Sequence, residues 1–172
     1  SSVCLVLSTV LSCGISVSAK TAYNIYSDPT VNAVAGEMVS VPVYISDNEG
    51  LMGYDISFSY DNSVLTPVTP DPVTKGNVMT AGFFENDVEG TTSTENSFRV
   101  FWSDAYASTE NGTLFYLNFL VDNKAMGTTT ITATCDSSAT YDGNFEDVVL
   151  NCSDINIVIT NNVYDLNPVV ND

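Results

Sequence analysis

The sequence predicts an all-β fold in which two sheets pack as a sandwich. Three observations point there. Tyr54 to Tyr60 alternates strictly, with Tyr54, Ile56, Phe58 and Tyr60 on one side and Asp55, Ser57 and Ser59 on the other. A period of two marks a strand with one buried and one wet face. About nine such runs recur at short spacing, bounded by Asn, Asp, Gly and Pro. Helical periodicity is almost absent. A chain of 172 residues suits one domain with short extensions.

The elements follow in order. Thr21 to Ser27 is the first strand. Met38 to Ser46 is the second, with Val39, Val41, Val43 and Ile45 inward and Pro42 turned toward an edge or bulge. Asp47 to Gly50 is a turn. The third strand is the alternating stretch, ended by Asp61-Asn62. Val64 to Val73 carries Pro67, Pro70 and Pro72 and forms at most an irregular edge strand. Phe83 to Val88 is a short strand, and Thr91 to Asn96 a polar loop. In Ser97 to Ser103, Phe98, Val100 and Trp102 share one face, and Arg99, Phe101 and Ser103 the other. Asn111-Gly112 turns into Thr113 to Val121, apolar on both faces apart from Asn118 and therefore central. Thr128 to Cys135 sets Ile131, Ala133 and Cys135 against Thr130, Thr132 and Thr134. Asp154 to Thr160 aligns Ile155, Ile157 and Ile159.

Charge narrows the partners. Four basic against 21 acidic residues give a formal charge of −17. That field repels phosphates, so nucleic acid and anionic membrane surfaces are excluded, while basic or calcium-bearing partners are attracted. The absence of His excludes His-based triads and His-ligated zinc. Residues 1–19 read as a truncated secretory leader, with an apolar core at Val3 to Val10 and a small-x-small site at Ser16 to Ala19, too short to span a membrane. The expected product is a secreted domain over residues 20–160 with a linker or tail over 161–172. Cys4 and Cys13 leave with the leader. Cys135 and Cys152 then form either a disulfide suited to an exported protein or buried free thiols.

Candidate chemistry is sparse. Carboxylates are abundant, yet nothing selects an acid/base pair, so no catalytic residue is expected. Asp136 to Asp147 spaces oxygens like a calcium loop but puts Tyr141 where an EF-hand needs Gly, so a loop between strands is the reading. An aromatic sugar platform is the rival idea. Trp102 alternates with Phe98 and Val100 and belongs to the core, leaving Tyr106, Tyr141 and Phe145 in loops to sustain it.

Three segments together resemble the cohesin family, whose members bind dockerin modules in cellulosomal scaffoldins. Ala35 to Ser46, AGEMVSVPVYIS, resembles the family's AG-(D/E)-x-V-x-(I/V)-PV strand. Tyr54 to Leu65, YDISFSYDNSVL, resembles its (C/Y)-D-F-x-(Y/F)-x-YD-x-x-VL segment. Val100 to Val121 resembles its strand-loop-strand unit ending in G-x-(L/F)-F-x-(L/I)-x-F-x-V. The short link from Asp104 to Gly112 leaves no room for the crowning helix of some cohesin subtypes, and the motif set is most similar to the helix-free layout and to ruminococcal cohesins. It implies a nine-stranded jelly-roll sandwich that docks its partner on the family's strands eight, three, six and five. The family's recognition Asp falls on Asp55, and its acidic contact on strand six falls on Ser103, a departure.

The expected function is a non-catalytic protein-binding module, monomeric when free and without a cofactor of its own, calcium belonging to the dockerin. Its binding face is centred on Asp55, Ser57, Ser59, Arg99, Phe101 and Ser103, edged by Glu85 and Asp87 on one side and Thr130, Thr132 and Thr134 on the other. These alternate with inward Ile56, Phe58, Val100 and Ile131, so all are expected outside and Asp55 is expected to accept hydrogen bonds from the partner. Ser40 and Asn156 are assigned to the opposite sheet. Two alternatives belong to other classes. One is a carbohydrate-binding module of the same architecture. The other is an adhesin segment, whose isopeptide bond needs a core lysine, whereas Lys20, Lys75 and Lys124 sit at strand ends or in loops.

Overall fold

The computed structural model describes residues 22–87, 96–136 and 140–161. The segment read as a leader, all but Asn96 of the polar loop read over Thr91 to Asn96, and the tail beyond 161 lie outside these residues. The strands are β1 (Ala22–Tyr26), β2 (Val31–Val34), β3 (Met38–Ser46), β4 (Leu51–Ser59), β5 (Leu65–Pro67), β6 (Val73–Lys75), β7 (Phe83–Asp87), β8 (Ser97–Ser108), β9 (Gly112–Val121), β10 (Gly127–Cys135), β11 (Tyr141–Asp142), β12 (Val149–Cys152) and β13 (Ile155–Thr160). No helix occurs among the described residues.

They form two sheets. One runs β12-β1-β3-β9-β5, with β6 also on β9; the other runs β2-β13-β10-β4-β8-β7, with β11 on β4. Most successive strands change layer, which is the jelly-roll wrap. β1 pairs with β12, and β2 with β13, in the parallel sense. The short strands β2, β11 and β12 were not legible as strands, because two to four residues are too few for a period of two to register.

The core lies between the layers. Val39, Val41, Val43 and Ile45 of β3 and Phe115, Leu117 and Phe119 of β9 face Tyr54, Ile56 and Phe58 of β4 and Phe98, Val100 and Trp102 of β8. Phe58 meets Phe115 edge-on at 5.9 Å, and Tyr60 meets Phe119 at 5.1 Å. Contacts of this kind each add about 0.5–1.5 kcal/mol beyond burial. Trp102 is buried and its indole N–H donates to the Ala81 carbonyl at 2.8 Å. Burial also pushes the Tyr54 hydroxyl well above its ordinary pKa.

Three local features differ from expectation or refine it. β9 is interior to its sheet, but among the described residues no layer covers its outer side, so Tyr116 and Leu120 are exposed. Pro42 is accommodated because pairing with β1 stops at Tyr44 and the β3–β9 register shifts beside it. The Pro42 carbonyl accepts from the Ser27 hydroxyl instead. Cys135, ending β10, and Cys152, ending β12, are joined in a disulfide that ties one sheet to the other.

Candidate partner-binding face

The outward face of β10-β4-β8-β7 is built by register. Thr132, Ser59 and Ser97 stand side by side across β10, β4 and β8. The next row is Thr134, Ser57, Arg99 and the Asp87 position. Then come Asp55, Phe101 and Glu85, and finally Gly53, Ser103 and Phe83. Strand alternation alone brings these residues together, because directly opposed residues on paired strands share a face. Ser57, Ser59, Glu85, Arg99, Thr130, Thr132 and Thr134 are exposed, and Phe101 and Ser103 half-buried.

Asp55 departs from expectation. Its parity is outward, but its side chain is only 2% exposed. Arg99, diagonally across on β8, lies over it. Its Nε–H donates to one carboxylate oxygen and its Nη2–H to the other. On the other flank the Tyr141 ring lies over Gly53, so close that a Cβ there would stand 2.9 Å from the ring. A buried carboxylate is tolerable because a guanidinium fork matches both oxygens at once. Asp55 is therefore a covered charge, not the open acceptor read from alternation.

Asn156 is also corrected. β13 pairs with β10, so Asn156 lies exposed on this same sheet, where its Oδ1 accepts from the Thr130 hydroxyl at 3.1 Å. The error arose from counting layers without knowing that β12 and β13 divide between them. Ser40 does lie on the other sheet, where its hydroxyl donates to the Asn118 side-chain Oδ1.

Phe83 was missed. It is 57% exposed and packs edge-on against Phe101 at 6.2 Å. Phe83, Glu85, Arg99 and Phe101 line a hollow of about 280 Å³. The signal was available, since Phe83 shares the parity of Glu85. Gly82 makes this turn possible. It adopts φ +79°, and a Cβ there would lie 2.5 Å from the Ser103 carbonyl oxygen.

The other candidates sit apart from these rows. Tyr106 is exposed near the end of β8, and Phe145 is exposed and stacked on Tyr141. In the Asp136 to Asp147 segment the Asp142 carboxylate accepts the backbone N–H groups of Asn144 and Glu146, closing a turn. Thr140 is buried there, its hydroxyl donating to the Asp136 carbonyl. Among the described residues no three Cys, Asp or Glu side chains are grouped as metal ligands.

The cohesin-domain family matches residues 27–159. The chain belongs to the cohesin family. The fold of this cohesin recurs in solved structures. A non-cellulosomal cohesin from the archaeon Archaeoglobus fulgidus is 22% identical with TM-score 0.66, covering 81% of this chain and 92% of that one. The OlpA cohesin of Clostridium thermocellum, solved with a dockerin, is 17% identical with TM-score 0.69, covering 81% and 100%. The sixth cohesin of scaffoldin B from Acetivibrio cellulolyticus, solved with a Cel5 dockerin, is 20% identical with TM-score 0.66, again covering 81% and 100%. Comparison with curated proteins found no match. Family membership and the buried Trp102 displace the carbohydrate-binding alternative.

Proposed function

We propose that this cohesin is a non-catalytic docking module that recruits dockerin-bearing proteins to an extracellular polysaccharide-degrading complex. One observation carries the reading. In a chain belonging to this family, the outward face of β10-β4-β8-β7 offers a field of short hydroxyl side chains next to an aromatic pair, with Arg99 and Glu85 as the long charged side chains among its described residues. Two relatives of the same fold were solved with dockerins bound. Another is described as non-cellulosomal, so the kind of assembly is part of the proposal.

The chemistry is complementarity without turnover. The sequence lacks His and offers no selected carboxylate pair. Calcium enters through the dockerin, whose loops fold around it. The module is monomeric when free and works outside the cell. No helix among the described residues is long and apolar enough to cross a membrane.

The test is a binding screen of the purified domain against calcium-loaded dockerin modules from its source organism, with and without chelator. At least one dockerin should bind, and chelator should abolish the complex. Absence of binding across the set, or sustained release of sugar from plant polysaccharide by the domain alone, would overturn the proposal.

A further inference from the structure

Four observations on this face converge on its β8–β7 half. The Asp55 side chain is 2% exposed and the Arg99 fork holds both of its oxygens. A carboxylate only accepts, so a partner donor reaches it only by displacing Arg99 and stripping a buried charge of its counterion. Arg99 itself is 56% exposed. A guanidinium has five N–H donors and no acceptor, so about three remain for a partner. Next to it the Phe83–Phe101 pair walls the hollow of about 280 Å³, on a scale with one large apolar side chain. The β10–β4 half, by contrast, shows short side chains such as Thr128, Thr130, Thr132, Thr134, Ser57 and Ser59.

We propose that, on the face read above as the dockerin site, recognition runs through Arg99 and the Phe83–Phe101 hollow, with Asp55 anchoring Arg99 and making no partner contact. The dockerin places an apolar side chain in the hollow beside a neutral hydrogen-bond acceptor, a hydroxyl or carbonyl oxygen, that accepts a hydrogen bond from an Arg99 N–H. The acceptor is neutral because Asp55 already balances Arg99, Glu85 lines the same hollow, and the chain carries −17. A partner carboxylate would meet net repulsion there. The hydrogen-bond polarity at this position is thus the reverse of what Asp55 in the sequence suggests: the face donates. Interface energy concentrates in aromatic and Arg side chains that shed water, while surrounding hydroxyls act as a rim.

The inference rests on the dockerin reading, and its test separates the two. The probe is the dockerin that binds wild type best in the calcium-loaded screen, carried to titration calorimetry with F83A, R99A, R99K, D55N and S40A. Circular dichroism checks each fold; Phe83 and Arg99 are exposed enough for truncation to leave it intact. F83A and R99A should each weaken binding about tenfold or more, with R99K between R99A and wild type. D55N should weaken it less than R99A, and S40A on the other sheet should leave it unchanged. An alanine scan of the dockerin, combined with F83A in double-mutant cycles, should find an apolar residue coupled to Phe83. R99A binding as tightly as wild type or tighter would overturn the proposal, since freed Asp55 would then be the contact. F83A and R99A both at wild-type affinity would also overturn it, leaving the dockerin reading standing. If no dockerin binds wild type, both readings fall together.

Discussion

Asp55 keeps a negative charge out of water because Arg99 lies across it and meets both oxygens. Removing the cover leaves a buried carboxylate without its counterion. Arg99→Ala should therefore destabilise the domain by about 1–3 kcal/mol, read from the midpoint of urea unfolding, and an unchanged midpoint would show that water replaces the guanidinium without loss. Asp61 gives the pH counterpart. Hydrogen bonds from the Ser63 hydroxyl and backbone N–H hold its carboxyl below the ordinary value of 3.8. A depressed folded pKa contributes stability that is present above 3.8 and is lost as pH falls through the lower folded value. Ser63→Ala should raise the Asp61 pKa in an NMR titration; no movement would mean that the backbone bond alone sets it. At this scale the sequence told which side of a strand a residue takes, but not whether it is covered. Alternation placed Asp55 outward correctly, yet its cover is Arg99, which lies 44 residues further along the chain.

Strand β8 shows how far an element was legible. Its alternation at Phe98, Val100 and Trp102 was plain, because each residue faces either a packed layer or water. Its continuation to Ser108 was not, since the pairing with β4 slips between Gly53 and Leu51 and breaks the period. The same holds for β12, whose Val149, Asn151 and Cys152 carry no pattern but pair with β1 and place Cys152 against Cys135. With the cysteines 17 positions apart, the disulfide closes a loop worth about 3 kcal/mol in the chain-entropy account. Cys152→Ser should lower the melting temperature by several degrees, roughly 2–8 °C for each kcal/mol lost in domains of this general size. Mass spectrometry after alkylation without reduction should find neither Cys135 nor Cys152 modified. Two modified thiols would exclude the bridge.

Across the whole molecule, charge and topology act separately. The −17 field covers the surface, while much of the proposed docking face is uncharged hydroxyl and aromatic surface. Charge should then govern encounter more than residence. Raising salt from low to physiological concentration should slow dockerin association severalfold and leave dissociation nearly unchanged, with equal effects on both rates counting against this division. If the calcium of the complex belongs to the partner, as proposed, chelator should leave the melting temperature of the isolated domain within a few degrees; a larger drop would locate an ion in this chain. Topology has another consequence. β1 lies parallel to β12 at the edge of one sheet, and β2 parallel to β13 at the edge of the other. A load that draws Ala22 and Thr160 apart along the strands slides each pair lengthwise, so their backbone hydrogen bonds strain together instead of opening one after another. A tether under tension between a fixed surface and a moving enzyme would meet its resistance there, in a zipper pulled along its length.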